Sequence, residues 1–185
     1  MESKRDETEE LVSRAREGDE EAISRLITLY KGLIYTIIYR MVNDPDLAQD
    51  LTQETFIKVF LKIKTLKRPA HFRAWTCSIG RNLVYDHLRK EQRRKTVPLE
   101  EIGEQKVPSG IEKRRKRMII QDALMRLERR DRMLLSLVYY QGMTHAEVAR
   151  IMKIPESNIK VYIHRARKRL RRELEGFEDG LLSVS

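Results

Sequence analysis

The spacing of the apolar residues constrains the fold of this chain more than any other feature. Apolar side chains recur at intervals of three and four, as in Ala22, Ile23, Leu26, Ile27 and Tyr30, which places them on one side of an α-helix. The chain has only 8 glycines in 185 residues, and no run of its sequence alternates apolar with polar residues as a half-buried strand does. We therefore expect an all-α protein without a β-sheet.

Breaks in this periodicity predict where the helices end and where the chain divides. Helices are expected over residues 8–17, 20–30, 33–41, 45–63 and 72–93, and again after residue 112. The stretch "KTVPLEEIGEQKVPSGI" contains two prolines and two glycines but no apolar stripe, which is typical of a flexible connector. We predict two small helical domains, residues 1–94 and 113–178, joined by a flexible linker at 95–112.

The net charge indicates a polyanionic partner. It is +10, with a sequence pI near 9.8, and the basic excess lies downstream of an acidic N-terminal segment. Nucleic acid or an anionic membrane surface suits such a charge better than a small acidic substrate. No stretch approaches the roughly 20 apolar residues of a membrane-spanning helix, and the acidic N-terminus does not resemble a secretory signal. We expect a cytoplasmic protein that does not insert into a membrane.

Cys77 is the single cysteine, which excludes an intramolecular disulfide. His71 and His87 are the candidate partners of Cys77 in a metal site. At about 100° per residue neither histidine shares a helical face with Cys77, so we expect no metal ion and no cofactor.

The C-terminal segment predicts a helix-turn-helix. In "GMTHAEV", Thr144 and Glu147 have the spacing of a capping box that starts a short helix, and Pro155 suits the start of the next. That second helix carries one apolar stripe for the core: Ile159, Ile163, Ala166, Leu170 and Leu174. Its opposite face carries Ser157, Val161, His164, Arg165, Lys168 and Arg172. In a helix-turn-helix, the second helix lies in the major groove of DNA.

The basic residues of this helix have two expected roles. We expect Lys168, Arg169, Arg171 and Arg172 to contact phosphates, which adds affinity but little sequence choice. Base reading should fall to Lys160, His164 and Arg165 in the first turns. The alternative is a solvated basic face, or an electrostatic contact with RNA or acidic lipid.

The helix "LAQDLTQETFIKVFLKI" has an unusual second face. A helical wheel places Ala48, Thr52, Thr55, Phe56, Val59, Phe60 and Ile63 on its core side. The other side mixes Leu47, Ile57 and Leu61 with Asp50, Gln53, Glu54 and Lys58. A face that is partly apolar and partly acidic suits a protein partner, although a central helix packed on all sides would show a similar pattern.

Aromatic, amide and basic residues lie close together in "LKRPAHF" and the helix that follows it. Such a combination suits unpaired bases, which stack on aromatic rings while cations neutralise the backbone. The alternative is that Phe72 and Trp75 belong to the core.

These segments together resemble a known family. Over nearly its whole length the chain is similar to the extracytoplasmic-function subfamily of bacterial RNA polymerase sigma factors, within the sigma-70 family. The similar stretches occur in this order: "DLAQDLTQETFIKVF", "FRAWTCSIGRNLVYDHLRK" and "ALMRLERRDRMLLSLVYYQGMTHAEVARIMKIPESNIKVYIHRARKRL". The resemblance implies that the first domain binds the clamp helices of core RNA polymerase and melts the minus-ten element. It implies that the second domain reads the minus-thirty-five element and contacts the polymerase flap.

The resemblance also assigns residues to these tasks. It implies a polymerase-binding face at Asp50, Gln53 and Glu54. It implies a minus-ten site, with a loop that captures a flipped base, made of Lys67, Arg68, His71, Phe72, Asn82, Asp86 and Arg89. It implies a minus-thirty-five site made of Ser157, Asn158, Lys160, Val161, His164, Arg165 and Lys168. An anti-sigma factor is a further implied partner.

The sequence departs from the family pattern at several positions. Lys153 stands where a glycine is usual in the turn, Ser157 and Asn158 where Gly-Thr is usual, Glu128 where a proline is common, and Tyr162 where an arginine is frequent. These departures leave the helical pattern intact, but the promoter sequence does not follow from the resemblance.

The sequence therefore predicts an alternative sigma factor, which is not an enzyme. Two other hypotheses remain open. One is a two-domain helix-turn-helix regulator that binds duplex operators without being a polymerase subunit. The other is a nucleic-acid-processing enzyme, for which no cluster of carboxylates is evident.

Overall fold

A computed structural model describes residues 2–94 and 111–182 of the chain. All regular structure in these residues is helical, which confirms the all-α prediction. The α-helices are α1 (Glu2–Arg16), α2 (Glu20–Val42), α3 (Pro45–Lys62), α4 (Phe72–Arg94), α5 (Ile111–Arg126), α6 (Arg129–Leu135), α7 (His145–Met152) and α8 (Glu156–Leu182). The predicted linker at 95–112 lies outside the described residues, except for its last two positions, which begin α5.

Capping side chains fix the starts of α2 and α3. Asp19 accepts a hydrogen bond from the backbone N–H of Ala22 at 3.0 Å, and Asp44 accepts one from that of Leu47 at 3.0 Å. Gly18 precedes the first cap with φ +97°, a conformation that glycine adopts readily. The starts of these helices are thus decided by local sequence.

Helix α2 runs through Gly32 without interruption, so the prediction of separate helices over 20–30 and 33–41 was wrong. A glycine inside a helix costs only about 1 kcal/mol relative to alanine. The residues after it, Ile34, Ile37 and Ile38, are fully buried. Their burial outweighs the local cost and keeps the helix continuous.

The N-terminal half packs α1 to α4 around an apolar core. Phe72, at the start of α4, is fully buried and meets the ring of Tyr30 edge-on at a centroid distance of 5.2 Å. Gly80 lets α4 approach its neighbours closely: a Cβ atom there would lie 3.3 Å from Thr55 Oγ1 and 3.4 Å from Ile38 Cδ1. The absence of a side chain at Gly80 thus lets α4 lie close to both α2 and α3.

The C-terminal half contains the predicted helix-turn-helix, formed by α7 and α8. Thr144 Oγ1 accepts from the N–H of Glu147 at 3.3 Å, and Glu147 Oε2 accepts from the N–H of Thr144 at 2.9 Å, which confirms the capping box. Lys153 ends α7 with φ +54°, a left-handed conformation usually taken by glycine. The stripe of α8 faces the core, since Ile159, Ile163 and Ala166 are buried.

The two halves pack against each other. Helix α4 contacts α7, and α2 contacts both α6 and the π-helical segment Ser136–Tyr140 that continues it. Arg129 Nε donates to the backbone carbonyl of Met41 at 3.1 Å, and the Arg73 guanidinium donates to the carbonyl of Gln141. Buried apolar residues of both halves belong to one continuous cluster.

Neither a membrane span nor a metal site is evident in the part of the chain that the structure describes. Within residues 2–94 and 111–182, no helix is long and apolar enough to cross a bilayer. Burial raises the pKa of the Cys77 thiol to about 12, which disfavours the thiolate that a metal ion would require. In the same part of the chain, no group of three or more His, Cys, Asp or Glu residues is arranged to hold a metal ion.

Candidate polymerase and promoter interfaces

Helix α3 has one buried side and one exposed side. Its buried side consists of Ala48, Leu51, Thr52, Thr55, Phe56 and Val59. Three large apolar side chains face solvent instead: Ile57 is 59% exposed, Phe60 55% and Leu61 70%. Neighbouring exposed apolar residues on one helix are typical of a surface that binds another protein.

The position of Phe60 corrects the sequence prediction, which placed it on the core side. Phe60 lies about 120° around the helix from Ala48, at the edge of the apolar stripe. The wheel shows that edge but does not show how far the neighbouring helices reach around α3. The exposed ring of Phe60 enlarges the apolar surface of α3 that faces solvent.

The three predicted polymerase-binding residues lie on this exposed side. Asp50, Gln53 and Glu54 are all exposed, and each is three or four positions from Ile57 or from another member of the set. Glu54 pairs with Lys58 at 3.1 Å. We call Asp50, Gln53, Glu54, Ile57, Phe60 and Leu61 together the α3 surface.

The structure divides most of the predicted minus-ten residues between two clefts. Lys67, Arg68 and His71 line a cleft of about 360 Å³. Asp86 and Arg89 line a different cleft of about 290 Å³ between α3 and α4, which also includes Glu54, and they pair with each other at 3.6 Å. Asn82 accepts from Arg81 at 3.2 Å and lines neither of these clefts. The set is therefore not one continuous pocket.

Phe72 corrects a second prediction. It was assigned to the DNA-contacting loop, but its ring is fully buried against Tyr30. Phe72 therefore belongs to the core, which is the alternative that the sequence analysis gave for it. Phe72 anchors the end of the loop, while the side chains of Lys67 and Arg68 are exposed.

The 360 Å³ cleft also contains residues that the sequence did not assign. Trp75 of α4 lines it, and Arg150 of α7 reaches it from the C-terminal half. The sequence leaves Trp75 open as either a core residue or a platform for a base, and the structure buries it only in part. No sequence signal connects Arg150 with this loop, because their proximity comes from the packing of the two halves.

All seven predicted minus-thirty-five residues lie on the exposed face of α8. They are Ser157, Asn158, Lys160, Val161, His164, Arg165 and Lys168. The buried stripe of Ile159, Ile163 and Ala166 turns this face away from the core. The face is therefore exposed to solvent while the two halves are packed together.

One flank of α8 is tied to α6. The Arg169 guanidinium donates to the buried carboxylate of Asp131, and the Arg130 guanidinium lies over the Tyr162 ring at 4.5 Å from its centroid. Asp131 raises the pKa of Arg169 through this hydrogen bond. Arg169, which was predicted to contact phosphate, is thus already engaged within the protein.

Comparison with known proteins decides the family. The family described as Sigma-70 region 2 matches residues 26–94, and the family described as Sigma-70, region 4 matches residues 117–170. The extracytoplasmic-function (ECF) RNA polymerase sigma factor SigF of Caulobacter vibrioides is 33% identical over 165 residues, which cover 86% of this chain and 89% of that protein. The chain belongs to the ECF RNA polymerase sigma factors.

One further relative supports this assignment, and one solved structure shares the fold. The ECF sigma factor BldN of Streptomyces coelicolor is 33% identical over 174 residues, which cover 89% of this chain and 65% of that protein. The structure of the sigma factor RpoE of Bartonella quintana, solved with the anti-sigma factor NepR, superposes with a TM-score of 0.70 at 24% identity, covering 82% of this chain and 96% of that one. At this identity the structural likeness shows the fold alone.

These matches favour a sigma factor over the alternative of a regulator that acts without polymerase. Both halves of the sigma factor match a sigma region, whereas a helix-turn-helix alone would account only for the second. The roles of individual residues stay predictions.

Proposed function

We propose that this sigma factor binds core RNA polymerase through the α3 surface and directs the enzyme to specific promoters. The observation that carries the proposal is the exposure of Ile57, Phe60 and Leu61 beside the acidic Asp50 and Glu54. Burying these apolar side chains against a partner would remove them from water, and the carboxylates would select a basic surface. The polymerase clamp helices are the proposed partner of this surface, and the flap is the proposed partner of the second domain.

The two domains, 1–94 and 113–178, are proposed to divide promoter recognition. The exposed cations Lys67 and Arg68 would hold the unpaired strand of the minus-ten element, and the exposed face of α8 would enter the minus-thirty-five duplex. Their basic side chains predict binding that weakens with added salt.

Binding, rather than catalysis, is the proposed work of the chain, since its named relatives are sigma factors. We place it in the cytoplasm, where a bacterial polymerase meets its promoters. The RpoE structure contains an anti-sigma factor, and we propose a regulatory partner of that class for this chain also.

Charge reversal on the α3 surface tests the proposal. The full-length chain and its Asp50→Lys/Glu54→Lys variant would be used to capture polymerase from a lysate of the source bacterium, with the β and β′ subunits quantified. We expect the variant to capture less than about one tenth of the polymerase that the wild type captures, because like charges juxtaposed in an interface cost several kcal/mol. The control Glu10→Lys/Glu17→Lys makes the same charge change on exposed residues elsewhere and should capture polymerase normally.

Transcription of a genomic promoter library by core polymerase, with and without the chain, completes the test. New start sites that depend on the chain, and that the α3 variant fails to produce, are the expected result. Equal capture by the variant, or unchanged start sites, would contradict the proposal. Tight duplex binding with unchanged start sites would favour the regulator that acts alone.

A further inference from the structure

Arg130 is an exposed cation that lies outside the helix-turn-helix but contacts its second helix, α8. It belongs to α6, yet its guanidinium carbon lies 4.5 Å from the centroid of the Tyr162 ring on α8. The neighbouring arginines of α6 have other contacts: Arg129 donates to the Met41 carbonyl, and Arg132 is buried. Arg130 therefore differs from them in presenting its charge beside α8.

Helical geometry places this charge next to the predicted DNA-contacting residues. Asn158 precedes Tyr162 by four positions and Arg165 follows it by three, so both are its neighbours on the helix surface. Asn158, Arg165 and Arg130 are all exposed. The guanidinium of Arg130 thus lies at the edge of the predicted minus-thirty-five face.

The relation between α6 and α8 is held by a second contact. Asp131, the residue after Arg130, is buried and accepts a hydrogen bond from Arg169. Arg169 follows Tyr162 by seven positions, which is close to two helical turns, so both contacts fall on the same flank of α8. Two successive residues of α6, Arg130 and Asp131, therefore contact the same flank of α8, which fixes the position of Arg130.

The contact with Tyr162 leaves the hydrogen-bonding capacity of Arg130 available. A guanidinium over an aromatic ring interacts with the ring through its charge, whereas its N–H donors lie in its own plane. Phosphate oxygens accept from such a planar donor group, often in pairs. A ring that holds the side chain in place also reduces the entropy lost when it binds.

We propose that Arg130 contacts a backbone phosphate of the duplex bound by α8, and that Tyr162 positions it for this contact. The proposal rests on the proposed function, because it requires the exposed face of α8 to bind duplex DNA. It adds a residue from a preceding helix to the promoter surface and gives Tyr162 a positioning role. This contact supplies affinity rather than base choice.

The salt dependence of DNA binding tests the phosphate contact. Binding of the full-length chain to a labelled mixed-sequence duplex of about 30 base pairs, long enough to cover an α8 footprint, would be measured by fluorescence anisotropy across a sodium chloride series. Arg130→Ala should weaken binding about tenfold and reduce the slope of log K against log salt by about 0.9, the loss of one neutralised phosphate. Arg130→Lys should keep the slope, and Lys31→Ala, which removes an exposed cation from the other half, should change neither value.

A double-mutant cycle tests the positioning role. Tyr162→Phe keeps the ring and should bind like the wild type, while Tyr162→Leu should weaken binding only when Arg130 is present. Thermal melts of each variant would show whether the fold is retained.

Several results would overturn the inference. An unchanged salt slope for Arg130→Ala would reduce the contact to a structural one, whether or not affinity falls. Equal weakening by Tyr162→Leu in both backgrounds would remove the positioning role. A wild-type chain that binds no duplex at all would instead contradict the proposed promoter contact of α8.

Discussion

Asp131 is buried on α6, whereas the Arg169 side chain that pairs with it is half exposed. The two partners therefore depend on the pair to different degrees. Without Asp131, the guanidinium can turn into water. Without Arg169, a carboxylate stays in the protein interior with its principal partner removed, which is far less favourable.

This asymmetry predicts an order of stabilities. Arg169→Ala should lower the free energy of unfolding more than Asp131→Ala does, and Asp131→Ala/Arg169→Ala should recover part of the loss. Urea unfolding of the full-length chain would measure all three variants. Arg172→Ala, an exposed arginine of the same helix, is the control and should change little. The reverse order of the two single variants would contradict the account of the pair.

Residue roles could be predicted from the sequence only where they are local. Thr144 and Glu147 are three positions apart, and their capping box was predicted correctly. Arg169 was assigned to phosphate because the sequence does not show that Asp131 is its partner. The two residues lie 38 positions apart in the chain. The wheel likewise could not show that Phe60 escapes burial, since burial depends on which helices lie around α3.

Among the helices, α2 and α4 use glycine in opposite ways. Gly32 of α2 has nothing within 4 Å of where a Cβ atom would lie, whereas Gly80 of α4 has Thr55 Oγ1 at 3.3 Å. Gly32 therefore lowers the stability of its helix without allowing a close contact in return. The second allows two helices to approach closely.

Substitutions at these glycines should therefore have opposite effects. Gly32→Ala should raise the free energy of unfolding by about 1 kcal/mol, because alanine has the higher helix propensity and no steric conflict arises. Gly80→Val should lower it, since a branched side chain would displace Thr55 and Ile38. Denaturant unfolding of both variants checks this, and destabilisation by Gly32→Ala would show that the position is more crowded than the structure indicates.

The sequence predicted most helices well at this scale. The capping box at Thr144 and the proline at Pro155 marked the starts of α7 and α8, and the apolar stripe of α8 marked its buried side. The predicted division between residues 30 and 33 was wrong because the burial of the isoleucines after Gly32 outweighs the local cost of that glycine.

The molecule as a whole has a core shared by both halves. Its apolar cluster includes residues of α2 and α4 together with residues of α6, α7 and α8. The linker composition predicted two domains but gave no indication that they would pack together. Contacts such as Arg129 to Met41 join residues 88 positions apart, beyond the reach of periodicity or capping patterns.

A shared core predicts one cooperative unfolding transition. Calorimetry of the free full-length chain should show a single peak whose calorimetric and van't Hoff enthalpies agree. Arg73→Ala/Arg129→Ala, which removes hydrogen bonds between the halves, should broaden or divide that peak. Lys31→Ala/Lys64→Ala removes the same charge from exposed positions and should leave it single. Two separate peaks in the wild type would mean that the halves unfold independently.

The contacts between the two halves also limit which relatives could supply one half of a stable chimaera with this protein. The carbonyls of Met41 and Gln141 would be present in any homologue, but the side chains of Arg129 and Arg73 that reach them are particular to the sequence. A chimaera that grafts a relative's second half onto this first half would keep both backbone acceptors, but it would keep the hydrogen bond to Met41 only if that half has a donor at the position of Arg129. A relative's second half with an equivalent side chain at that position is therefore expected to pack more stably against this first half than a second half without one.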